Sequence, residues 1–243
     1  MRLLSLVACV AVLSCAEKKQ PEPRAKPRPL EPLVQATADA GGDRAALYEV
    51  VPLAPTGPAV PSGAGRVALA GERWGAVPES GPVVLVPDED TFLVQISPLL
   101  EHLQRDRREV WLKHPEVEVA YRVTLRDETD FQAWLDELEP GKVRVIHRAD
   151  GFELSTNMGK LPGVDANGPT VPVRGGKMDL TTLQRGFEKV RGRFKDAPDV
   201  CFVPSFGMEL AQVARAMAAN YERADAPYFE GLCLVYPRRP ARP

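Results

Sequence analysis

The sequence predicts a mixed α/β (α+β) fold, in which helices pack on mixed sheets and a β-α-β unit occurs twice. The first observation is a pair of short apolar runs, 200–204 and 232–236, whose Pro and Gly boundaries are typical of buried strands. The second is the segment between them, in which apolar residues recur at three- and four-residue steps and so define one helix face. The third is that residues 83–115 repeat this pattern.

The internal repeat aligns without a gap across the first strand. Residues 83–87 align with 200–204, and after a short difference in length residues 110–115 align with 232–237, so that each unit ends on a proline. A repeat determines the architecture of a chain because each copy builds the same unit. The alternative is that two unrelated β-α-β units look alike because both are buried in the same way.

The first fifteen residues form a targeting signal. Arg2 gives a positive start, and residues 3–13 are apolar apart from Ser5, a run too short to cross a membrane as a helix. The closing Val-Leu-Ser-Cys15 resembles a bacterial lipobox, whose cysteine is acylated, with palmitate among its chains, and holds the protein at a bilayer. Ala16 then favours the outer membrane, by resemblance to enterobacterial lipoproteins. An ordinary secretory signal with an incidental Cys15 is the alternative.

Composition divides the rest of the chain into three segments. Residues 16–65 are a proline-rich tether, which cannot bury a core and is expected to be disordered. A first α/β unit occupies residues 66–140 and a second one residues 141–243.

Further elements are predicted between the two copies. Residues 117–125 alternate as a half-buried strand does, and Asp127 or Thr129 can cap the helix that follows. A hairpin turns at Asp150 and Gly151, and Asp179 caps a third helix.

From residue 143 onward the predicted order is β-β-α-β-α-β. This order resembles the periplasmic domain of the ExbD/TolR biopolymer-transport family, in which an Asp-Gly turn leads to a helix, an apolar strand, a helix and a last strand. The matching pieces are 149–154, 180–194, 199–203, 213–221 and 232–236.

The resemblance implies a soluble envelope domain that dimerises, engages the cell wall or docks envelope partners. Members of that family have an amino-terminal transmembrane helix with a proton-relaying Asp. This sequence is expected to lack that helix, and no apolar span in it carries an acidic residue, so nothing in the sequence could relay protons across a membrane. The resemblance therefore implies at most a role accessory to an ExbD/TolR-type transport or motor complex.

Several classes of function are disfavoured by composition. A net charge of −2 gives no field that would attract nucleic acid. His102, His114 and His147 lack metal-ligand spacing and are expected at surfaces or strand ends, so neither a metal nor a cofactor is predicted. Cys201 and Cys233 fall on neighbouring strands, where they form either a disulfide or two buried thiols.

Three features leave room for catalysis. Ser205 follows a strand and precedes a helix, but the first glycine of a nucleophile elbow is missing, so a capping or turn role is favoured. Asp88, Glu89 and Asp90 follow the equivalent strand, where charges at a helix start are the simpler explanation. Residues 159–176 form a long loop rich in Gly and Pro.

The sequence therefore favours a non-enzymatic envelope lipoprotein that binds a protein or peptidoglycan partner on the periplasmic side. The basic face of the third helix, with Arg185, Lys189 and Arg193, is its candidate binding surface, although a solvated face is the simpler explanation. The alternatives are a hydrolase that uses residues 159–176 with Ser205 or with Asp88 and Asp90, and a purely structural accessory subunit. A homodimer is one arrangement that such a domain could take.

Overall fold

The structure is a computed structural model, and it describes residues 52–137, 141–163 and 167–237. The predicted signal with Cys15 and most of the tether lie outside the described residues. Within the three ranges, no helix is both long enough and apolar enough to span a bilayer.

Fourteen strands form in the described part of the chain. They are β1 (Gly65–Ala70), β2 (Arg73–Trp74), β3 (Val83–Val86), β4 (Val110–Lys113), β5 (Ala120–Arg126), β6 (Val143–Arg148), β7 (Gly151–Thr156), β8 (Gly159–Lys160), β9 (Val171–Arg174), β10 (Lys177–Met178), β11 (Asp199–Val203), β12 (Tyr221–Arg223), β13 (Ala226–Pro227) and β14 (Gly231–Val235).

Helices connect these strands. Those described are α1 (Ser97–Arg105), α2 (Glu128–Asp136), α3 (Leu180–Arg193) and α4 (Leu210–Met217), the last continued by a 3-10 turn, Ala218–Asn220. Asp127, one of the two predicted candidates, caps α2, and Asp179 caps α3 as predicted. Each carboxylate accepts the N–H three residues on, at 2.9 and 3.0 Å. Such caps contribute about 1 kcal/mol each.

Twelve of the strands join in one mixed sheet, which confirms the predicted α/β class. Its order is β10-β9-β7-β6-β11-β14-β5-β4-β3-β1-β2, with β8 also paired to β7. Strands β6, β11, β14 and β5 run parallel to one another. Strands β4, β3 and β1 are also mutually parallel, but β4 pairs with β5 antiparallel. The sheet therefore contains two parallel blocks of opposite direction, with β5 between β14 and β4.

The predicted repeat of a β-α-β unit is confirmed by strand register. Val83 pairs with Val110 in the first block, and the aligned Val200 pairs with Leu232 in the second. The next two positions keep this correspondence in both blocks, so β3-α1-β4 and β11-α4-β14 are equivalent units.

The two units meet at positions that correspond under the same alignment. Phe92 and Glu209 form an antiparallel bridge, and each lies nine residues after its aligned valine, Val83 or Val200. The N–H of Leu210 donates to the carbonyl of Thr91 beside this bridge, at 2.8 Å. The contact between the units is therefore built from equivalent segments of each.

The core lies on both faces of this sheet. A large continuous cluster buries one face against α1, α3 and α4, with Phe202, Leu234 and Phe187 among its members. On the other face α2 covers a smaller cluster in which Trp134 contacts Val235 and the two cysteines. Burial of this kind supplies most of the stability of such a fold, at roughly 25 cal/mol per Å² of apolar surface.

Order begins earlier than residue 66, where the sequence places it. Ala59 bridges to Val119, and the hydroxyl of Tyr121 donates to the carbonyl of Thr56 at 3.2 Å. The segment from residue 52 therefore packs against the β4–β5 hairpin, because a fully buried tyrosine needs both a cover and an acceptor.

The predicted loop 159–176 also contains strands. β8 and β9 both pair with β7, and Gly151 makes this possible because a Cβ there would lie 2.0 Å from the carbonyl oxygen of Val171. The loop residues thus extend the sheet beyond β6 and β7 instead of standing apart from it.

Candidate functional site

A cleft of about 670 Å³ runs along one side of α4, and we call it the α4 cleft. Its wall is apolar, with Leu53, Val173, Met178 and Leu180. Polar side chains lie at its two ends and along its floor. His147 and Lys177 lie at one end, Gln212 of α4 lies on the floor, and Arg215 lies at the other end with His114 and Glu116.

At one end of the cleft, His147 contacts Ser205. The Oγ of Ser205 lies 2.6 Å from Nδ1 of His147. Two neighbouring parallel strands place them there, since β6 ends just after His147 and β11 ends just before Ser205. Phe152 packs edge-on against the imidazole at 5.7 Å, and burial lowers the pKa of His147 below its usual value.

Ser205 begins a tight turn that leads into α4. Its carbonyl accepts the N–H of Met208 at 3.1 Å, which agrees with the predicted turn role. Phe206 projects from this turn with 66% of its surface exposed, and Gly207 lines the cleft. Nothing in the described ranges accepts the N–H groups of Phe206 and Gly207, so both can serve a ligand.

The other end of the cleft is a charged cluster around Arg215. Its guanidinium contacts Glu89 at 2.6 Å and Glu116 at 2.9 Å. The hydrogen bond from Arg215 holds the pKa of Glu89 below its usual value. Because two carboxylates surround one guanidinium, this cluster has a net negative charge.

His114 lies beside this cluster at the end of β4, one of the two kinds of place expected for the histidines, and it is only 2% exposed. It follows β4, where the N–H of Glu116 donates to its Nδ1 at 3.2 Å. Burial lowers the pKa of His114, which therefore stays neutral to lower pH than an exposed histidine.

Lys177 adds a positive charge at the His147 end of the cleft, opposite in sign to the charge of the Arg215 end. The side chain is exposed on β10, and it has no ion-pair partner among the residues that the structure describes. The α4 cleft therefore combines an apolar wall with a basic end and an acidic end.

Cys201 and Cys233, which the sequence left either bridged or free, form a disulfide. They are directly opposite each other on β11 and β14, with Cα atoms 4.4 Å apart, and both are fully buried. Trp134 of α2 covers them from the second face of the sheet. The bridge is structural and does not reach the α4 cleft.

The basic residues predicted for binding lie on the outer face of α3. Arg185, Lys189 and Arg193 are all exposed at four-residue steps, and within the described residues none of them forms an ion pair. None of the three lines the α4 cleft. They form a separate surface, which we call the α3 basic stripe.

None of the three carboxylates predicted for an alternative site, Asp88, Glu89 and Asp90, lines the cleft, although Glu89 forms an ion pair with Arg215, which does. Asp88 accepts a hydrogen bond from the hydroxyl of Thr91, and Asp90 is exposed. No group of three or more histidines, cysteines or acids among the described residues could hold a metal ion.

Sequence reasoning missed the pairing of His147 with Ser205. The residues are 58 positions apart, and only the neighbouring placement of β6 and β11 brings them together. A signal was present, because each residue stands at the carboxyl end of a predicted strand, where ligand and catalytic groups gather in parallel sheets.

Comparisons of the chain with protein-family models, with curated proteins and with solved structures found no match.

Proposed function

We propose that this chain is a lipoprotein of the bacterial cell envelope whose α/β body binds a protein or cell-wall partner in the α4 cleft. Acylated Cys15 would hold it at the outer membrane, on the periplasmic side, in a role accessory to an ExbD/TolR-type complex. The observation that supports binding most directly is the cleft itself, an open 670 Å³ groove beside an exposed aromatic side chain.

The lining of the cleft has the composition of a recognition site. Binding pockets combine apolar walls with a few polar groups that orient the ligand, and the α4 cleft has both. Phe206 is exposed and directly precedes Gly207, which lines the cleft, and exposed aromatic residues supply much of the energy of protein interfaces.

The ends of the cleft indicate what kind of partner fits. Lys177 and His147 at one end suit a carboxylate or a carbonyl oxygen, whereas Glu116 at the other end, with Glu89 held next to it by Arg215, suits a cation. A peptide segment carries both kinds of group on an extended backbone. Partner proteins and the peptides of the cell wall both offer such segments.

Photo-crosslinking in intact cells tests this proposal. A photoreactive amino acid at position 206 should form an adduct with a specific envelope partner. The matched control is position 158, because Met158 is 67% exposed, against 66% for Phe206, and neither it nor its chain neighbours line the cleft, whereas Gly207 next to Phe206 does. Equal adducts from both positions, or none from position 206, would count against the cleft as the binding site.

The lipid anchor has a separate test. Cells fed an alkyne-bearing palmitate should label the wild-type protein, and Cys15→Ser should abolish the label. Labelling that survives Cys15→Ser would contradict acylation at this residue.

The α3 basic stripe supports a second contact, with anionic polymers of the cell wall. Co-sedimentation with isolated wall at low salt should weaken when Arg185, Lys189 and Arg193 are changed to Gln, and salt should weaken the wild type in the same way. The matched control changes three exposed arginines elsewhere. These are Arg73, Arg105 and Arg107. Equal losses in both triple variants would show only an effect of net charge.

A further inference from the structure

One end of the α4 cleft holds a serine hydroxyl against an imidazole nitrogen, and nothing in the binding proposal uses this contact. We infer that Ser205 is a nucleophile for acyl transfer and His147 its general base, acting on an ester or amide whose apolar part lies along the cleft wall. This activity would replace the expectation of a non-enzymatic protein. It goes beyond the binding proposal and does not rest on it, because a small acyl compound needs no partner protein.

The first support is distance and scaffold. Ser205 Oγ and His147 Nδ1 are 2.6 Å apart, within the range that proton transfer from a nucleophile requires. Val203 is in register with Ile146, so two paired parallel strands set the positions of the residues that follow them. Groups fixed by neighbouring strands keep their relative geometry better than groups on separate loops.

The second support is the state of the imidazole. A general base must be neutral, and the packing of Phe152 with the partial burial of the ring keeps His147 unprotonated at neutral pH. With its proton on Nε2, the neutral ring accepts the hydroxyl proton of Ser205 at Nδ1. Nε2 meets no carboxylate in the described part of the chain, so the arrangement is a dyad.

The third support is the turn after the nucleophile. The N–H groups of Phe206 and Gly207 directly follow Ser205 and have no acceptor within the described residues. The N–H of the residue after a nucleophile is a common donor to the developing oxyanion. Gly207 adds no side chain to this edge of the cleft, where a Cβ would meet nothing within 4 Å.

The reaction balances with water as the only co-reactant. The proton of Ser205 Oγ passes to His147 Nδ1 as Oγ forms a bond to the acyl carbon, whose carbonyl oxygen becomes the oxyanion. When that intermediate collapses, the bond to the alkoxide or amine breaks and the leaving group takes the proton from His147. Water then attacks the acyl-serine, gives a proton to His147, and releases the acid as that proton returns to Ser205.

Labelling with a fluorophosphonate tests the nucleophile in the full chain, held in detergent. Ser205 should become phosphonylated, as peptide mass spectrometry would show, whereas the exposed Ser80 should not. His147→Gln should slow the labelling by about 10²-fold or more, since a general base contributes factors of this size. His102→Gln is the matched control, because His102 lies on α1, far from the turn in sequence, and is also partly exposed.

A thiol probe gives a second, independent measurement. Ser205→Cys should react with iodoacetamide faster than Ser80→Cys, and the excess should vanish in Ser205→Cys/His147→Gln. The excess rate should also fall at acid pH, because a protonated His147 cannot accept the proton, and the lowered pKa of His147 places this fall below the usual histidine range.

Labelling at Ser205 that depends on His147, in either experiment, would establish the dyad. Labelling at Ser205 that is no faster than at Ser80, or that ignores His147→Gln, would overturn it. Circular dichroism and thermal melting of each variant show whether it is folded, and a folded but unreactive wild type counts against the inference. The crosslinking result at position 206 is unaffected by either outcome.

Discussion

Reduction of the Cys201–Cys233 disulfide should destabilise the protein by an amount that its loop length sets. The two cysteines are separated by 32 positions, and closing a loop of that length lowers the entropy of the unfolded chain. The usual relation gives about 3.7 kcal/mol at 25 °C, because it predicts a loss of roughly 12 cal/mol/K. The free energy of unfolding should therefore fall by about that much when the bridge is reduced.

Urea denaturation with and without a reductant measures this difference. A chain begun at residue 16 leaves only this pair of cysteines. With an m-value of about 2–3 kcal/mol/M, the midpoint should fall by roughly 1–2 M, and the m-value should rise because the reduced unfolded chain is less compact. Cys201→Ala/Cys233→Ala is the control, since the reductant should not change its midpoint.

Equal midpoints for the oxidised and reduced protein would refute this reasoning. Such a result would mean that the unfolded chain already holds residues 201 and 233 close together, or that the bridge is absent in solution. Peptide mapping without reductant separates these explanations, because it detects the linked pair directly.

Three further predictions concern buried contacts. Asn220→Ala should cost about 1–3 kcal/mol for each of the two backbone groups of Phe229 that it leaves without a partner, as thermal or urea denaturation would show. Gly151→Ala should destabilise the protein more than Gly159→Ala: both glycines have positive φ, but a Cβ meets a backbone oxygen only at the first, so similar losses would contradict the close strand approach. Burial lowers the pKa of His114, so below about pH 6.5 the unfolded state binds the proton first and the free energy of unfolding decreases as pH falls. His114→Gln should remove that part of the decrease in a pH series of denaturation curves, and an unchanged slope would show that the proton is taken up elsewhere.

Local patterns were sufficient for the elements and for the repeat. The apolar runs at 83–87 and 200–204 became β3 and β11, and the aligned helices followed each of them. These predictions succeed because strand and helix periodicity are encoded within ten or so residues. The caps at Asp127 and Asp179 are predictable for the same reason, since a capping carboxylate bonds to its own helix.

Non-local placement was not predictable in the same way. The sequence gives no sign that β14 lies beside β5, or that β9 pairs with β7 through two residues only. The burial of His114 likewise depends on which segments pack around the end of β4. The contact of His147 with Ser205 follows from register once β6 and β11 are known to be neighbours, but their order in the sheet is a tertiary fact.

The opposed directions of the two parallel blocks give the molecule two distinct rims. Asp88 in the first block is at the position equivalent to Ser205 in the second. When β1 is aligned with β6 through their registers with β3 and β11, Leu69 is at the position equivalent to His147. The rim of the second block thus carries the hydroxyl of Ser205 beside the imidazole of His147. The equivalent rim of the first block carries the carboxylate of Asp88 and the aliphatic side chain of Leu69. The rim that carries the contact between His147 and Ser205 therefore has, within the same molecule, an equivalent rim without these two groups, with which its chemical properties can be compared.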